Sequence, residues 1–255
     1  YSHNLQQDGS FESTTLDYLY VELANHINAT TGASLNSSKL VNRKYFDNPA
    51  LISALQQLQY GELDAATEEL NSFLLTDESN LIAQRQLAEI ALKKAEFKSV
   101  DKIIAGALKL ANVTGDRSES ARLGLTLSKS YIEQKELPRS LSTLSQARSD
   151  AANSQDWLYL AYIAAWAGHV NQRLSRYDAA NQQYQLSVDY HRMVGYQAGQ
   201  VIALNNLARL ALIEYNYSAA YKYVKQSVDI VTQKQLTKLK EETMLLLSKV
   251  ENKQR

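Results

Sequence analysis

A pattern of large and small residues recurs along the chain about every 40 residues. In its last full copy, a large residue, Leu207, precedes a small one, Ala208, and a second segment of spaced apolar positions follows. Residues of similar size stand about 40, 80 and 120 residues earlier in the chain. At the position of Ala208, for example, the copies 80 and 120 residues earlier have Ser128 and Ala88. A shorter copy begins at Ala54, and its second segment precedes the next one by about 34 residues. Such a repeat predicts a stack of similar units.

The spacing within each copy is that of helices. The large residue, the small residue and the apolar residue three or four places further on fall on one face of a helix. The small residue allows a neighbouring helix to approach closely. The chain has 9 Gly and 2 Pro, with Gly61 between two predicted helices and Pro138 at the start of another. We therefore predict an all-α fold of five antiparallel helix pairs and a closing helix.

This pattern of large, small and apolar residues resembles the tetratricopeptide repeat. The resemblance covers residues 47–250, and the string from Ala203 to Ala208 is similar to the longer repeats of kinesin light chains and many bacterial regulators. The family repeat is about 34 residues long, whereas the later copies here are about six residues longer. The resemblance implies a right-handed α-solenoid of helix pairs that binds proteins or peptides.

The ends of the chain lie outside the repeats. Residues 1–46 are interpreted as a capping region, with an amphipathic helix from Thr14 to Ile27 and a loop from Asn28 to Asn36. Residues 251–255 are taken as a tail. The lysines between Lys234 and Lys253 alternate with acidic residues, a pattern typical of a solvent-exposed capping helix.

Charge and composition narrow the classes of partner and compartment. Lys+Arg and Asp+Glu are both 27, so the formal net charge is zero, which argues against a nucleic-acid partner. No apolar run is long enough to insert into a membrane, and the first 12 residues lack the basic start and the apolar run of a signal peptide, so we expect neither feature. The chain lacks cysteine and begins at Tyr1 rather than Met. We expect a processed or excised segment of a longer protein, in an extracytoplasmic or periplasmic compartment, with a cytoplasmic location as the alternative.

The sequence contains no recognised catalytic or phosphate-binding motif. Its four histidines, His3, His26, His169 and His191, are widely spaced and lack carboxylates at ligand intervals. The adjacent pair Glu241 and Glu242 points in different directions on a helix and is interpreted as a solvated face. We therefore expect no enzyme activity, no catalytic residue, no metal and no cofactor.

In a stack of helix pairs, the first helix of each pair lines the inner surface and contacts what is bound. The predicted ligand-binding residues of this concave groove are Arg85, Glu89, Lys93, Lys129, Tyr162, Trp166, His169, Arg173, Asn205, Asn206 and Arg209. Tyr162 and Trp166 offer contact area, whereas Asn and Arg side chains bind an extended backbone or a carboxylate. By resemblance, Asn206 occupies the place where related repeats hold an Asn against the ligand backbone.

Three functions remain open from the sequence. The first is a protein- or peptide-binding module, as the sensor or scaffold segment of a larger bacterial membrane-anchored regulatory protein. The second is a cytosolic regulator that binds a signalling peptide or a transcription factor in the same groove. The third is an unrecognised enzyme. The sequence indicates neither the identity of the partner nor the oligomeric state.

Overall fold

The computed structural model describes residues 49–254, and every regular element in this range is an α-helix. The predicted helix from Thr14 to Ile27 and the loop after it lie outside the described residues, as does the whole capping region. Within 49–254, none of the helices is both long and apolar enough to cross a membrane.

Eleven helices make up the described part of the chain. They are α1 (Pro49–Tyr60), α2 (Leu63–Leu74), α3 (Leu81–Lys93), α4 (Phe97–Thr114), α5 (Arg117–Glu133), α6 (Leu137–Asn153), α7 (Trp157–Arg173), α8 (Tyr177–Met193), α9 (Gln197–Ile213), α10 (Tyr217–Gln233) and α11 (Thr237–Gln254). The prediction of five helix pairs and a closing helix is confirmed. The closing helix continues through Gln254, beyond the predicted boundary at residue 250.

The described helices fall into two compact units, 49–110 and 111–254, which divide within α4. In the first unit, α1 packs on α2 and α2 packs on α3. Their shared core is apolar, and its fully buried members include Leu51, Ala66 and Leu70. Burying the apolar faces of several helices together is what stabilises such a unit, because a single helix pair leaves its face exposed.

In the second unit, each helix from α5 to α11 packs on the next one along the chain. The first helices of neighbouring pairs also contact one another, α5 with α7 and α9 with α11. Two pairs of first helices are therefore neighbours. We call the surface formed by α5, α7, α9 and α11 the inner wall. The apolar core of this unit is filled by closely packed side chains of its helices, such as Leu144 of α6, Tyr184 of α8 and Leu207 of α9.

A left-handed residue ends one helix after another at a regular interval. Positive φ values between 53° and 74° occur at Ala95, Gly115, Lys135, Gln155, Ser175, Gly195, Tyr215 and Gln235. The amide of the following residue donates to the carbonyl five places back, as from Glu136 to Tyr131 at 2.8 Å and from Tyr196 to His191 at 2.8 Å. This bond satisfies a carbonyl that the helix leaves unpaired. Two helices that end in this way make one copy of the sequence repeat.

The small residues of the pattern do allow helices to approach closely. Gly168 of α7 faces the ring of Tyr184 in α8, and a Cβ at Gly168 would lie 2.6 Å from the Tyr184 Cδ1 atom. At the equivalent position of the preceding pair, the Ser128 and Ser140 hydroxyls are 2.9 Å apart and buried. The sequence prediction that small residues interlock with bulky ones is therefore confirmed at the contact of Gly168 with Tyr184.

Gly195 and Gly106 provide a matched test of the left-handed turns. A Cβ would meet open space at both, but only Gly195 has a positive φ, of 74°. We expect Gly195→Ala to lower the free energy of unfolding by about 1 kcal/mol because Cβ disfavours this conformation. Gly106→Ala, inside α4, should raise it by about 0.5–1 kcal/mol. Urea denaturation followed by circular dichroism measures both; equal effects would contradict the turn assignment.

Candidate binding site

A buried polar cluster joins α5 to α7 and positions the inner wall. The carboxylate of Asp156 caps α7 by accepting from the backbone N–H of Tyr159 at 3.1 Å. It also accepts from the Arg122 guanidinium at 3.1 Å and from the Ser118 hydroxyl at 3.2 Å. The same guanidinium lies 4.7 Å above the Tyr159 ring centroid. Because Asp156 is 5 % exposed, these bonds hold a buried charge in one geometry and fix α7 against α5.

Four of the predicted residues come together on α5 and α7. The Lys129 ammonium lies 5.5 Å from the centroid of the Trp166 ring, and the His169 ring meets Trp166 edge-on at 5.7 Å. Arg173, an exposed residue, donates to the backbone carbonyl of Ile132 at 3.3 Å. Trp166 and His169 remain partly exposed. The cluster therefore combines a cation, an aromatic surface and an imidazole on the inner wall.

His169 is neutral near pH 7. Burial lowers its pKa, the nearby Arg173 guanidinium lowers it further, and Glu133 partly opposes both. A neutral imidazole has one N–H donor and one acceptor nitrogen, so it can bind either side of a peptide group.

Asn206 and Arg209 form a second polar group on α9. The Arg209 guanidinium donates to the Asn206 Oδ1 atom at 3.1 Å and forms an ion pair with Glu242 of α11. Both side chains of this ion pair are partly exposed, at 39 % and 52 %. Glu242, which the sequence suggested was merely solvated, thus ties α11 to α9. No local pattern could show this pairing, because the two residues are far apart in sequence.

The structure corrects two predicted groove residues. Arg85 is 0 % exposed and its guanidinium is 3.5 Å from the Glu89 carboxylate in α3. Asn205 is 1 % exposed and donates from Nδ2 to the Thr243 hydroxyl at 2.9 Å. The expectation that these two side chains are exposed to a ligand is wrong. Helical spacing places a residue on a face, but neighbouring helices decide whether that face is covered.

The remaining predicted residues differ in position. Glu89 and Lys93 belong to the first unit with Arg85, and there Lys93 is exposed and Glu89 partly exposed. Tyr162 lies in the second unit, but its hydroxyl is buried. Its ring packs edge-on against His191 at 5.2 Å and lies 6.5 Å from the Tyr196 ring. Tyr162 therefore contributes mainly to the packing between α7, α8 and α9.

The inner wall presents several groups that can bind a ligand. Among the residues at 49–254, no group of three or more His, Asp or Glu side chains is arranged to hold a metal ion. The wall offers an aromatic surface, cations of α5, α7 and α9, a carboxylate of α11 and the amide of Asn206. These groups suit a polar, extended ligand with at least one apolar side chain.

Comparison with known proteins identifies the fold. Neither a protein-family model nor a curated protein matches the sequence. The structure is similar to part of a STAND signal-transduction ATPase with a tetratricopeptide-repeat sensor from Pyrococcus horikoshii, with a TM-score of 0.71 and 13 % identity over 97 % of this chain. The chain has the tetratricopeptide-repeat fold. It spans 38 % of that ATPase chain.

Two further structures share this tetratricopeptide-repeat fold with the chain. BtubC (BKLC) from P. vanneervenii has a TM-score of 0.64 and 15 % identity, over 77 % of this chain and 83 % of its own. The apo form of RapI has a TM-score of 0.64 and 15 % identity, over 75 % of this chain and 72 % of its own. At these identities the likeness establishes the helix arrangement, and the inner wall must be judged from its own residues.

The buried His191 makes the stability of the second unit depend on pH. Burial lowers the pKa of His191 to about 3, from an ordinary value of 6.5. Between these values the unfolded chain binds a proton that the folded chain does not, so the histidine destabilises the fold as pH falls. We expect its effect on the free energy of unfolding to reach about 1.4 kcal/mol per pH unit.

The matched measurement compares the natural chain with His191→Leu at pH 7 and pH 5 by urea denaturation. Carboxylates titrate in both proteins, so the difference between the two proteins isolates His191. The natural chain should lose more stability than the variant on acidification. An identical loss in the two proteins would show that His191 is not buried in its neutral form.

Proposed function

We propose that the second unit binds an extended segment of a partner protein along its inner wall. The observation that carries this proposal is the contact of Lys129, Trp166 and His169, which leaves an indole partly exposed between a cation and a neutral imidazole. A tryptophan in such a position supplies large contact area at low conformational cost. The polar groups around the tryptophan can fix the orientation of the bound segment through hydrogen bonds and charge pairs.

The charges of the wall support a peptide as the ligand. Arg173 and Arg209 are cationic, Glu242 is anionic, and Asn206 has both a donor and an acceptor. A peptide backbone presents donors and acceptors in alternation, and its side chains supply charges of either sign. A nucleic acid presents a continuous row of negative charges, which the zero formal net charge of the chain does not favour.

We further propose that the chain is a sensor or scaffold segment of a larger regulatory protein, such as a membrane-anchored bacterial one. The likeness to part of a STAND protein that has a tetratricopeptide-repeat sensor supports the sensor role. A cytosolic regulator that binds a signalling peptide or a transcription factor is the alternative, and it uses the same wall. The cysteine-free composition favours an extracytoplasmic compartment, and the binding proposal does not depend on the compartment.

The two tryptophans of the chain give a direct test. Peptides are selected from a phage-displayed library of random linear sequences and then synthesised. In Trp157→Phe the remaining indole is Trp166, and we expect its emission to change when a selected peptide binds. In Trp166→Phe the remaining indole is Trp157, an exposed residue at the start of α7, and its emission should stay constant.

A charge variant completes this test. Lys129→Glu removes the cation from the indole, and we expect it to weaken peptide binding by about tenfold, the range of a lost charged contact. Circular dichroism verifies that the variant is folded. The proposal is wrong if the selected peptides perturb Trp157 instead of Trp166, or if Lys129→Glu leaves their affinity unchanged.

A further inference from the structure

A pocket of about 370 Å³ lies at one end of the second unit, between the C-terminal end of α9 and the last turns of α11. Its apolar lining comes from Leu212, Ile213, Tyr215 in the α9–α10 turn and Tyr217 at the start of α10. Its cationic lining comes from Arg209 and two lysines of α11. The pocket thus joins an apolar surface to a basic one at the end of the inner wall.

The two lysines of the pocket are Lys249 and Lys253, one helical turn apart on α11. Both are exposed. Like charges at this spacing repel each other and weaken a helix by a few tenths of a kcal/mol. Arg209 already forms an ion pair with Glu242. Within the described part of the chain, the residues that line the pocket include no carboxylate.

The apolar side of the pocket is open to solvent. Tyr215 is 78 % exposed and Ile213 is 42 % exposed. Tyr215 lies at the left-handed turn position that Lys135 and Gln155 occupy in other turns, with a φ of 58°. Exposed apolar side chains next to a cationic surface are available for contact with a ligand.

We propose that this pocket binds a peptide carboxylate that stands next to a large apolar side chain. The carboxylate lies between the ammonium groups of Lys249 and Lys253, and the apolar side chain contacts Tyr215 and Ile213. This charge complementarity selects an acidic, partly apolar peptide segment over a neutral one. The inference deepens the proposed function and rests on it, since it gives the inner wall a preferred ligand chemistry at one end.

The probes are three fluorescein-labelled synthetic peptides, which are measured by fluorescence polarisation. One has an internal Asp-Phe pair and an amidated C-terminus, one has a C-terminal Phe with a free carboxylate, and one has an internal Asn-Phe pair and an amidated C-terminus. We expect one or both carboxylate peptides to bind, and the neutral peptide to bind at least about tenfold more weakly. Which of the two binds identifies a side chain or the chain terminus as the source of the carboxylate.

The variant is the double charge reversal Lys249→Glu/Lys253→Glu, and its control is Lys234→Glu/Lys240→Glu. The control makes the same change in net charge at exposed lysines near α11 that do not line the pocket. We expect the pocket variant to lose about tenfold in affinity and the control to lose less than about twofold. Circular dichroism verifies that both are folded.

Three results would contradict peptide binding in the pocket. They are an equal loss of affinity in the two double variants, an affinity of the neutral peptide equal to that of the carboxylate peptides, or no binding of any probe. Lys129→Glu in the same titration separates this proposal from the one on which it rests. Suppose that Lys129→Glu weakens the binding of library-selected peptides, while Lys249→Glu/Lys253→Glu weakens the binding of no probe. The wall then binds peptides and the pocket does not. If the affinity of the probes falls in Lys249→Glu/Lys253→Glu but not in Lys129→Glu, the result supports ligand binding in the pocket and places the ligand away from Trp166.

Discussion

The structure depends on a backbone hydrogen bond that recurs at the end of one helix after another. A residue in the left-handed conformation reverses the chain, and the next amide donates to a carbonyl of the helix that has just ended. Six consecutive helices, α5 to α10, consequently have the same length of 17 residues. Equal lengths keep the first helices of these three pairs in the same phase, so equivalent positions on neighbouring pairs face the same way.

This phase is what brings the binding groups together. Lys129 and Trp166 come from different helix pairs, as do Arg209 and Glu242, and each contact requires that neighbouring first helices lie side by side. The buried carboxylate of Asp156 adds a second constraint, because it caps α7 and binds Arg122 of α5 together. The inner wall is therefore a property of the repeat, whereas its ligand preference comes from a few side chains placed upon it.

The sequence predicts the helix pairs well because size alternation and helical spacing are both local signals. Gly168 illustrates this, since its small size anticipates the close approach of Tyr184. Burial was harder to predict: Arg85 and Asn205 lie on the expected helices, but both are buried, and Asn205 binds Thr243, a residue distant in sequence. The left-handed turns at Lys135 and Tyr215 also escape a sequence argument, because glycine is the expected residue there. The pocket beside Tyr215 depends on the packing of α11 on α9, which no local pattern encodes.

The recurrent turn can be observed directly by amide hydrogen exchange, followed residue by residue with NMR. The decisive amides are those of Glu136, Asp156, Arg176, Tyr196 and Asn216, each at the junction of two helices. If they close the preceding helix as described, they exchange slowly, with protection close to that of amides in the helix interior. Fast exchange at these positions, as in an open loop, would contradict the account, because the helices would then lack the fixed ends that set their phase.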